Sequence, residues 1–345
     1  MGVTDRLDRY QREHSWAGFP IAVIYKFYDD QGSYLAALMT FYGFLSLFPL
    51  LLLLASVLGF LLEGDSELQQ RILDSTLSQF PIIGDQLQDP TSLRGSAIAV
   101  VVGAVTALYG ALRFAQATQN AMNVAWAVPR YLRPNPIKAR LRSLLIVTTA
   151  GIPVLATTIL SALGSSAHSY GADISGLVAI LATLAAVVAN TVVYVLVFRI
   201  ATSRKLTLHE IVPGAVAAAA IWQLLQLVGT AYVGRVVKDS GTTYGVFTLV
   251  LGLLAWIFLA TIVVVLCVEI NVVRTKCLYP RSLKTPFTDN VDLTQGDQQA
   301  YTDAVLAQRA KGFEFVDVHF AHDGQNATAR RDEQSDRPRV SDDDD

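Results

Sequence analysis

Hydrophobic residues fall along the chain in six long stretches that carry almost no charge. These stretches are 34–62, 96–112, 143–163, 174–198, 213–234 and 245–273. A helix needs about 20 mainly apolar residues to cross the hydrocarbon core of a membrane. The pattern therefore predicts an all-α fold, a polytopic membrane helical bundle with about six transmembrane helices.

Two further segments have apolar residues at helical spacing on one face; the first is too short to cross a membrane, and the second carries charges on its other face. Residues 16–28 carry Trp16, Val23 and Phe27 on one stripe, and residues 65–90 alternate apolar and charged faces in the same way. Such segments lie along a membrane surface with the apolar face buried. We expect two interfacial amphipathic helices, one on each side of the membrane.

The composition divides the chain into three parts. Only 16% of the 345 residues are charged, whereas a soluble domain has about 25%. Most of these charges lie outside 34–276, which we interpret as one transmembrane domain, following an N-terminal segment (1–33) that faces the cytoplasm. The polar composition of the cytoplasmic tail, 277–345, predicts that it is largely disordered, above all over 324–345.

Basic residues predict the orientation of the bundle. Four precede the first span, and the successive connections then hold two, six, none, three and two, with four in the segment 274–284 that directly follows the last span. Lysine and arginine are enriched in cytoplasmic loops. Because the richer sets alternate without exception, we expect a multi-pass protein of the inner or plasma membrane with both termini in the cytoplasm.

Polar residues inside or next to the spans are the candidate functional residues. We expect that they either join helices by hydrogen bonds or line a polar path for a substrate. For Glu269 the alternatives are exposure at the interface, a salt bridge to Arg113 or Arg199, or a place on the path. The substrate-path candidates are Arg113, Gln116, Asn120, Asn123, Asn190, Tyr194, Gln223, Gln226, Glu269 and Asn271.

Other features suggest little chemistry. Arg235 and Lys238, in a short outer loop, either attract an anionic group or anchor the helix ends at the interface. The sequence has no phosphate-binding loop, dinucleotide fingerprint or cysteine-pair metal motif. The only closely spaced histidines are His319 and His322, in the tail. We therefore expect no catalytic residue, no metal site and no cofactor, and we do not expect an enzyme.

Several segments together resemble the YihY/virulence factor BrkB family of inner-membrane proteins. The resemblance covers about residues 20–280, and at 267–268 a Cys-Val pair replaces the small residues typical before the glutamate. The segments that carry it are Ala36-Ala37-Leu38-Met39-Thr40-Phe41-Tyr42, Leu45-Ser46-Leu47-Phe48-Pro49-Leu50, Asn123-Val124-Ala125-Trp126, Arg133-Pro134, Val212-Pro213-Gly214-Ala215, Trp222, Tyr244-Gly245-Val246-Phe247 and Glu269-Ile270-Asn271.

The resemblance implies a six-span membrane protein linked with the export of envelope lipids or with serum resistance. The function it implies is a transporter or flippase for an envelope lipid or another anionic amphiphile. A non-transporting scaffold for envelope assembly is the alternative. A ribonuclease, a label that some members carry, is a more remote one. Expected partners are membrane lipids, an anionic lipid as candidate substrate and a second copy of the chain as candidate oligomer, but not nucleic acid.

Overall fold

A computed structural model describes residues 3–61, 97–151, 176–236, 245–288 and 291–320. Within these ranges every regular element is a helix, which confirms the all-α fold class. A short 3₁₀ helix, Arg130–Leu132, follows the fourth helix. The α-helices are α1 (Val3–Glu13), α2 (Ser15–Asp29), α3 (Gly32–Leu61), α4 (Ala97–Ala125), α5 (136–151), α6 (Gly176–Ala201), α7 (Leu208–Val236), α8 (Gly245–Lys276) and α9 (Gln295–Ala307).

In the described part of the chain, each of the six helices α3 to α8 contains residues of one of the six apolar stretches. Three segments of the described chain are long and apolar enough to cross a membrane, namely Thr183–Ala201, Leu208–Gln226 and Val250–Lys276. The apolar segment of α3 whose side chains are described, Gly32–Leu47, is shorter than these three. A helical membrane bundle is therefore the fold. Helix α4 continues beyond its apolar stretch, to Ala125.

Helices α3, α4 and α8 pack closely because small residues line their contacts. A Cβ atom at Gly110 of α4 would lie 2.8 Å from the Cα of Ser46 in α3. Polar contacts also join α3 to α8: the hydroxyls of Thr40 and Thr261 are 2.9 Å apart, and the Thr261 hydroxyl donates to the Ala36 carbonyl at 3.1 Å. Small residues allow helix backbones to approach each other in a membrane, where lipid gives no hydrophobic driving force for association.

Helix α7 begins earlier than the sequence suggests. The apolar stretch of this helix begins at 213, but the first helical residue is Leu208 and Pro213 lies inside the helix. The Glu210 carboxylate accepts hydrogen bonds from the Thr207 backbone N–H at 2.7 Å and hydroxyl at 2.9 Å, which caps the helix start. Proline has no N–H group, so Pro213 cannot donate a hydrogen bond to the His209 carbonyl four residues earlier. Arg274 of α8 donates to this carbonyl instead, at 3.0 Å.

Helices α1, α2 and α9 lie together with the loops 126–135 and 202–207 at one end of the bundle, which we call the basal end. Helix α2 confirms the predicted helix over 16–28; it buries Val23 and Phe27 and exposes Trp16 and Tyr28. Its place at a membrane surface stays a prediction. The second predicted interfacial helix, 65–90, lies outside the described residues.

The first part of the tail is folded, and the prediction of disorder is wrong there. Thr294 and Asp297 form a capping box at the start of α9, and Asp297 is fully buried. The Tyr131 backbone N–H donates to the Arg309 carbonyl at 3.3 Å, so the chain after α9 contacts the 126–135 loop. Residues 321–345, including the stretch with the strongest prediction of disorder, lie outside the described residues.

Candidate functional site

Three buried charged groups meet where α2 contacts α8. Lys26 donates a hydrogen bond to the Asp30 carboxylate, just after α2, and its Nζ lies 3.9 Å from the Glu269 carboxylate of α8. The same ammonium group donates to the Ala125 carbonyl at the end of α4, at 3.3 Å. The side chain of Lys26 is 3% exposed and that of Glu269 is fully buried. We call Lys26, Asp30 and Glu269 the basal acid–base cluster.

The predicted partners of Glu269 are therefore wrong. Arg113 and Arg199 were the expected cations, but Lys26 of α2 supplies the positive charge. Arg199 is exposed at the end of α6. Lys26 belongs to the buried face of α2, beside Ala22, Val23 and Phe27. Among apolar residues at helical spacing, a lysine is a signal for a buried ion pair, and that signal was available in the sequence.

A second buried ion pair holds the tail against α2. The Arg281 guanidinium donates to Asp297 of α9 at 2.5 Å and to Asp29 of α2 at 2.9 Å. Gln11 of α1 donates to the Arg281 carbonyl. Arg281 and Asp297 are both fully buried. Sequence reasoning missed this pair, although Thr294-x-x-Asp297 has the spacing of a helix-capping motif.

The environment of these groups shifts their pKa values. Burial raises the pKa of Asp30 above its usual range, although Lys26 opposes the shift. Burial disfavours the charge on Lys26, but Glu269 and Asp30 attract it more strongly, so the pKa of Lys26 is raised. Burial likewise disfavours the charge of Arg281, and Asp29 together with Asp297 outweighs that effect and raises its pKa. Both cations therefore stay charged at neutral pH.

Asn271 joins α7 to α8. Its side-chain oxygen accepts from the Gly214 backbone N–H at 2.7 Å, and its side-chain nitrogen donates to the Ile211 carbonyl at 3.0 Å. A Cβ atom at Gly214 would lie only 2.1 Å from the Cys267 carbonyl oxygen. The glycine is thus required for the two backbones to approach, and the asparagine satisfies buried backbone groups.

Asn123 and Gln119 connect α4 to the neighbouring elements of the basal end. The Asn123 side chain accepts from the Ser203 backbone N–H at 2.9 Å, which holds the 202–207 loop against α4. Gln119, which was not among the candidates, donates to the Ser143 hydroxyl of α5 at 2.8 Å and is buried. Both amides join helices by hydrogen bonds, the first of the two roles expected for this class of residue.

The other candidates of α4 have exposed or half-buried positions. Arg113 is exposed; it donates to the Tyr109 hydroxyl at 3.1 Å and to the Gln116 side chain at 3.4 Å. Its guanidinium also lies over the Tyr109 ring. Asn120 accepts from the Arg133 guanidinium at 3.4 Å. Within the described residues, no carboxylate lies within ion-pair distance of Arg113.

The candidates of α6 and α7 do not join the basal acid–base cluster. Asn190, Gln223 and Gln226 are half-buried. Tyr194 packs against the Phe198 ring and the main apolar core. Two further candidates fall at the edge of the described chain, because only the backbone of Arg235 is described and Lys238 lies outside it. Their role as a substrate path, or as an outer-face site, stays a prediction.

Metal ligands do not cluster in the part of the chain that is described. No group of three histidine, cysteine, aspartate or glutamate residues there has a spacing that would hold a metal ion. Cys267 is buried in α8 and Cys277 is exposed, and neither forms a disulfide.

The comparison with known families places these residues in context. The family model described as Virulence factor BrkB matches residues 23–290, which is more than three quarters of the chain. The chain belongs to the BrkB virulence factor family. No curated protein and no solved structure matches it. The family resemblance read from the first, fifth and last spans and from the segment after the second span is thereby confirmed.

The part of the chain that belongs to the BrkB family includes the whole basal acid–base cluster. Lys26, Asp30 and Glu269 lie inside the matched stretch, as do Asn123 and Asn271. Helix α9 and Asp297 lie beyond its end. Three of the polar residues that carried the resemblance, Asn123, Glu269 and Asn271, are thus buried contacts at the basal end.

Proposed function

We propose that this BrkB-family membrane protein is a transporter or flippase for an anionic amphiphile, such as an envelope lipid. The observation that carries the proposal is the position of Arg113. A cation exposed within the apolar part of a membrane bundle is costly, and such residues commonly mark the path of a substrate or ion.

The level of Arg113 follows from its neighbour in α4. A Cβ atom at Gly43 of α3 would lie 3.3 Å from the Phe114 ring and 3.5 Å from Ile257 of α8. Phe114 is therefore level with Ile257, which precedes Glu269 by 12 residues, or about 18 Å of helix. Arg113 thus lies beside the apolar run Val250–Lys276, far from the charges of the basal end.

An anionic headgroup would complement Arg113. Its partners among the described residues, Tyr109 and Gln116, are neutral. An exposed arginine near the centre of a membrane costs about 2.5–3.5 kcal/mol on insertion scales. A phosphate or carboxylate group would offset this cost by a bidentate, charge-assisted hydrogen bond. Lipid tails could remain in the bilayer while the headgroup contacts the arginine.

Vesicles that contain the purified protein test the proposal. A phosphatidylglycerol with a fluorescent label should cross these vesicles faster than protein-free vesicles, as measured by quenching from the outside. Arg113→Gln should lower the rate by about tenfold, because one charge-assisted contact contributes about 1.5 kcal/mol or more. Arg113→Lys should retain part of the rate. The matched control is Arg140→Gln, an exposed arginine of α5. Equal rates for Arg113→Gln and the unchanged protein would refute the proposal.

A non-transporting scaffold is the second candidate. Phe287, Phe313 and Phe315 of the tail are each at least 80% exposed, and exposed aromatic residues are typical of protein contacts. The two functions separate in a complementation assay of a strain that lacks the protein. A scaffold should survive Arg113→Gln and fail with Phe313→Ser and Phe315→Ser, whereas a transporter should behave in the opposite way.

We also propose that the protein lies in the inner or plasma membrane with its basal end in the cytoplasm. The alternation of basic residues between the spans supports this orientation. In a variant that lacks Cys267 and Cys277, a cysteine at Ser203 should resist an impermeant thiol reagent added from outside, while one at Ser75 should react. The reverse labelling would invert the proposed orientation.

A further inference from the structure

The basal acid–base cluster has one more negative group than positive. Two carboxyl groups, of Asp30 and Glu269, share the single ammonium group of Lys26. Glu269 is fully buried and the side chain of Asp30 is 9% exposed. An unbalanced charge in so buried a place costs several kcal/mol. Two carboxylates at one site avoid that cost when one of them holds a proton.

Within the described part of the chain, no neighbouring group supplies the missing positive charge. From α2, Asp29 faces the cluster and binds Arg281 of the tail. Arg281 is itself bound to the buried Asp297. From α8, Lys276 is paired with Asp303 of α9 at 2.9 Å. Helix α4 contributes only the neutral Ala125 carbonyl, which accepts from Lys26. Charge balance is therefore decided within the cluster.

The oxygen atoms of Glu269 give independent evidence. Neither Oε1 nor Oε2 accepts a hydrogen bond from any group in the described chain, although both are buried. An ionised carboxylate without donors is very unfavourable in a buried position. A proton on one carboxyl group would turn it into a donor that the other carboxylate can accept. One proton thus resolves both the excess charge and the missing hydrogen bond.

We propose that Asp30 and Glu269 form a proton-binding site, in which one proton is shared by the two carboxyl groups beside Lys26. The partly exposed Asp30 connects the shared proton to solvent at the basal end. Burial also raises the pKa of Asp30, which favours a bound proton at this site. The site joins α2 to α8, so the proton holds these two helices together. This inference does not depend on the proposed transport.

Infrared spectroscopy tests the proposal on the full-length protein in lipid. A protonated carboxyl group has a carbonyl stretching band that ionised carboxylates lack. The unchanged protein should show this band at neutral pH, and the band should disappear as the pH rises. Glu269→Gln and Asp30→Asn should each remove it, because the remaining carboxylate is then matched by Lys26. The control Glu13→Gln, an exposed residue of α1, should keep it.

Two outcomes would overturn the proposal. The first is the absence of the band from the unchanged protein at neutral pH. The second is a band that survives Asp30→Asn, which would mean that burial alone protonates Glu269 and that nothing is shared. Both outcomes are observed in the infrared spectrum of the folded protein, and neither requires an activity assay.

The pH dependence of unfolding gives a second measurement, should one variant fold poorly. A carboxyl group whose pKa is raised by folding stabilises the protein fully below the ordinary carboxyl pKa of about 4. This stability is lost as the pH rises through the pKa of the folded state. The melting temperature should therefore fall as the pH rises above 4, and Glu269→Gln or Asp30→Asn should remove that part of the slope. A slope in either variant equal to that of the unchanged protein would contradict a shared proton.

Discussion

The contact between α7 and α8 gives the sharpest stability prediction, the substitution Gly214→Ala. The added Cβ atom would lie 2.1 Å from the Cys267 carbonyl oxygen and 2.5 Å from the Asn271 side-chain nitrogen. The first of these atoms belongs to the backbone and cannot rotate away. Helices α7 and α8 must therefore separate, and separation also breaks the hydrogen bonds that Asn271 makes to Gly214 and Ile211.

The size of the effect can be worked out from these contacts. Overpacking of a close contact costs about 1–3 kcal/mol. Each interhelical hydrogen bond in a membrane bundle contributes about 0.6 kcal/mol. The substitution also has a favourable part, because alanine in a helix is more stable than glycine by about 0.5–1 kcal/mol. We expect a net loss of about 1.5–3.5 kcal/mol in the free energy of unfolding.

Unfolding of the purified protein in detergent, followed by tryptophan fluorescence, measures this loss. The matched control is Gly151→Ala in α5, where a Cβ atom meets nothing within 4 Å; this variant should be as stable as the unchanged protein or slightly more so. Gly214→Ala combined with Asn271→Ala should lose less than the sum of the single losses, because both act on one contact. Stability of Gly214→Ala equal to that of the control would refute the reasoning.

Two further predictions concern the tail and the amides of the bundle. Arg281→Met should destabilise the protein by about 3–5 kcal/mol, because it leaves the buried Asp297 without its cation. The loss should appear as faster proteolysis of the tail. An unchanged rate of proteolysis would show that the ion pair does not hold the tail. Asn190→Leu and Gln223→Leu should preserve the melting temperature and abolish transport if these amides line a substrate path. Lost stability in either would instead assign that amide to helix association.

The helices were predictable because the membrane leaves the backbone few alternatives. Residues in hydrocarbon must satisfy their backbone groups within a helix, and the described part of each apolar stretch is helical. The start of α7 was not predictable in this way. Pro213 resembles a first-turn proline, yet the capping contacts of Glu210 begin the helix five residues earlier, and Arg274, distant in sequence, satisfies the carbonyl that proline leaves free.

The composition of the cluster was less predictable than its location. Glu269 and Asn271 were recognisable as candidates because polar residues at the end of an apolar helix need partners. Which partner each finds depends on packing between distant parts of the chain, and spacing along the sequence does not specify it. Lys26 rather than Arg113 pairs with Glu269 because α2 lies against the basal part of α8. The tail is folded for a similar reason, since its buried Arg281 pairs with Asp29 of α2.

The candidates that hold elements of the basal end together must be distinguished from those that do not, because only the second kind can report on transport. Asn123 and Asn271 hold elements of the basal end together, so a variant of either that loses activity has also lost fold contacts and says little about a substrate. Among the described residues, Arg113 makes its hydrogen bonds to side chains of its own helix. Its replacement removes a charge without removing a hydrogen bond between helices. Loss of transport at Arg113 with an unchanged melting temperature would therefore locate the substrate path, whereas the same loss at Asn271 would not.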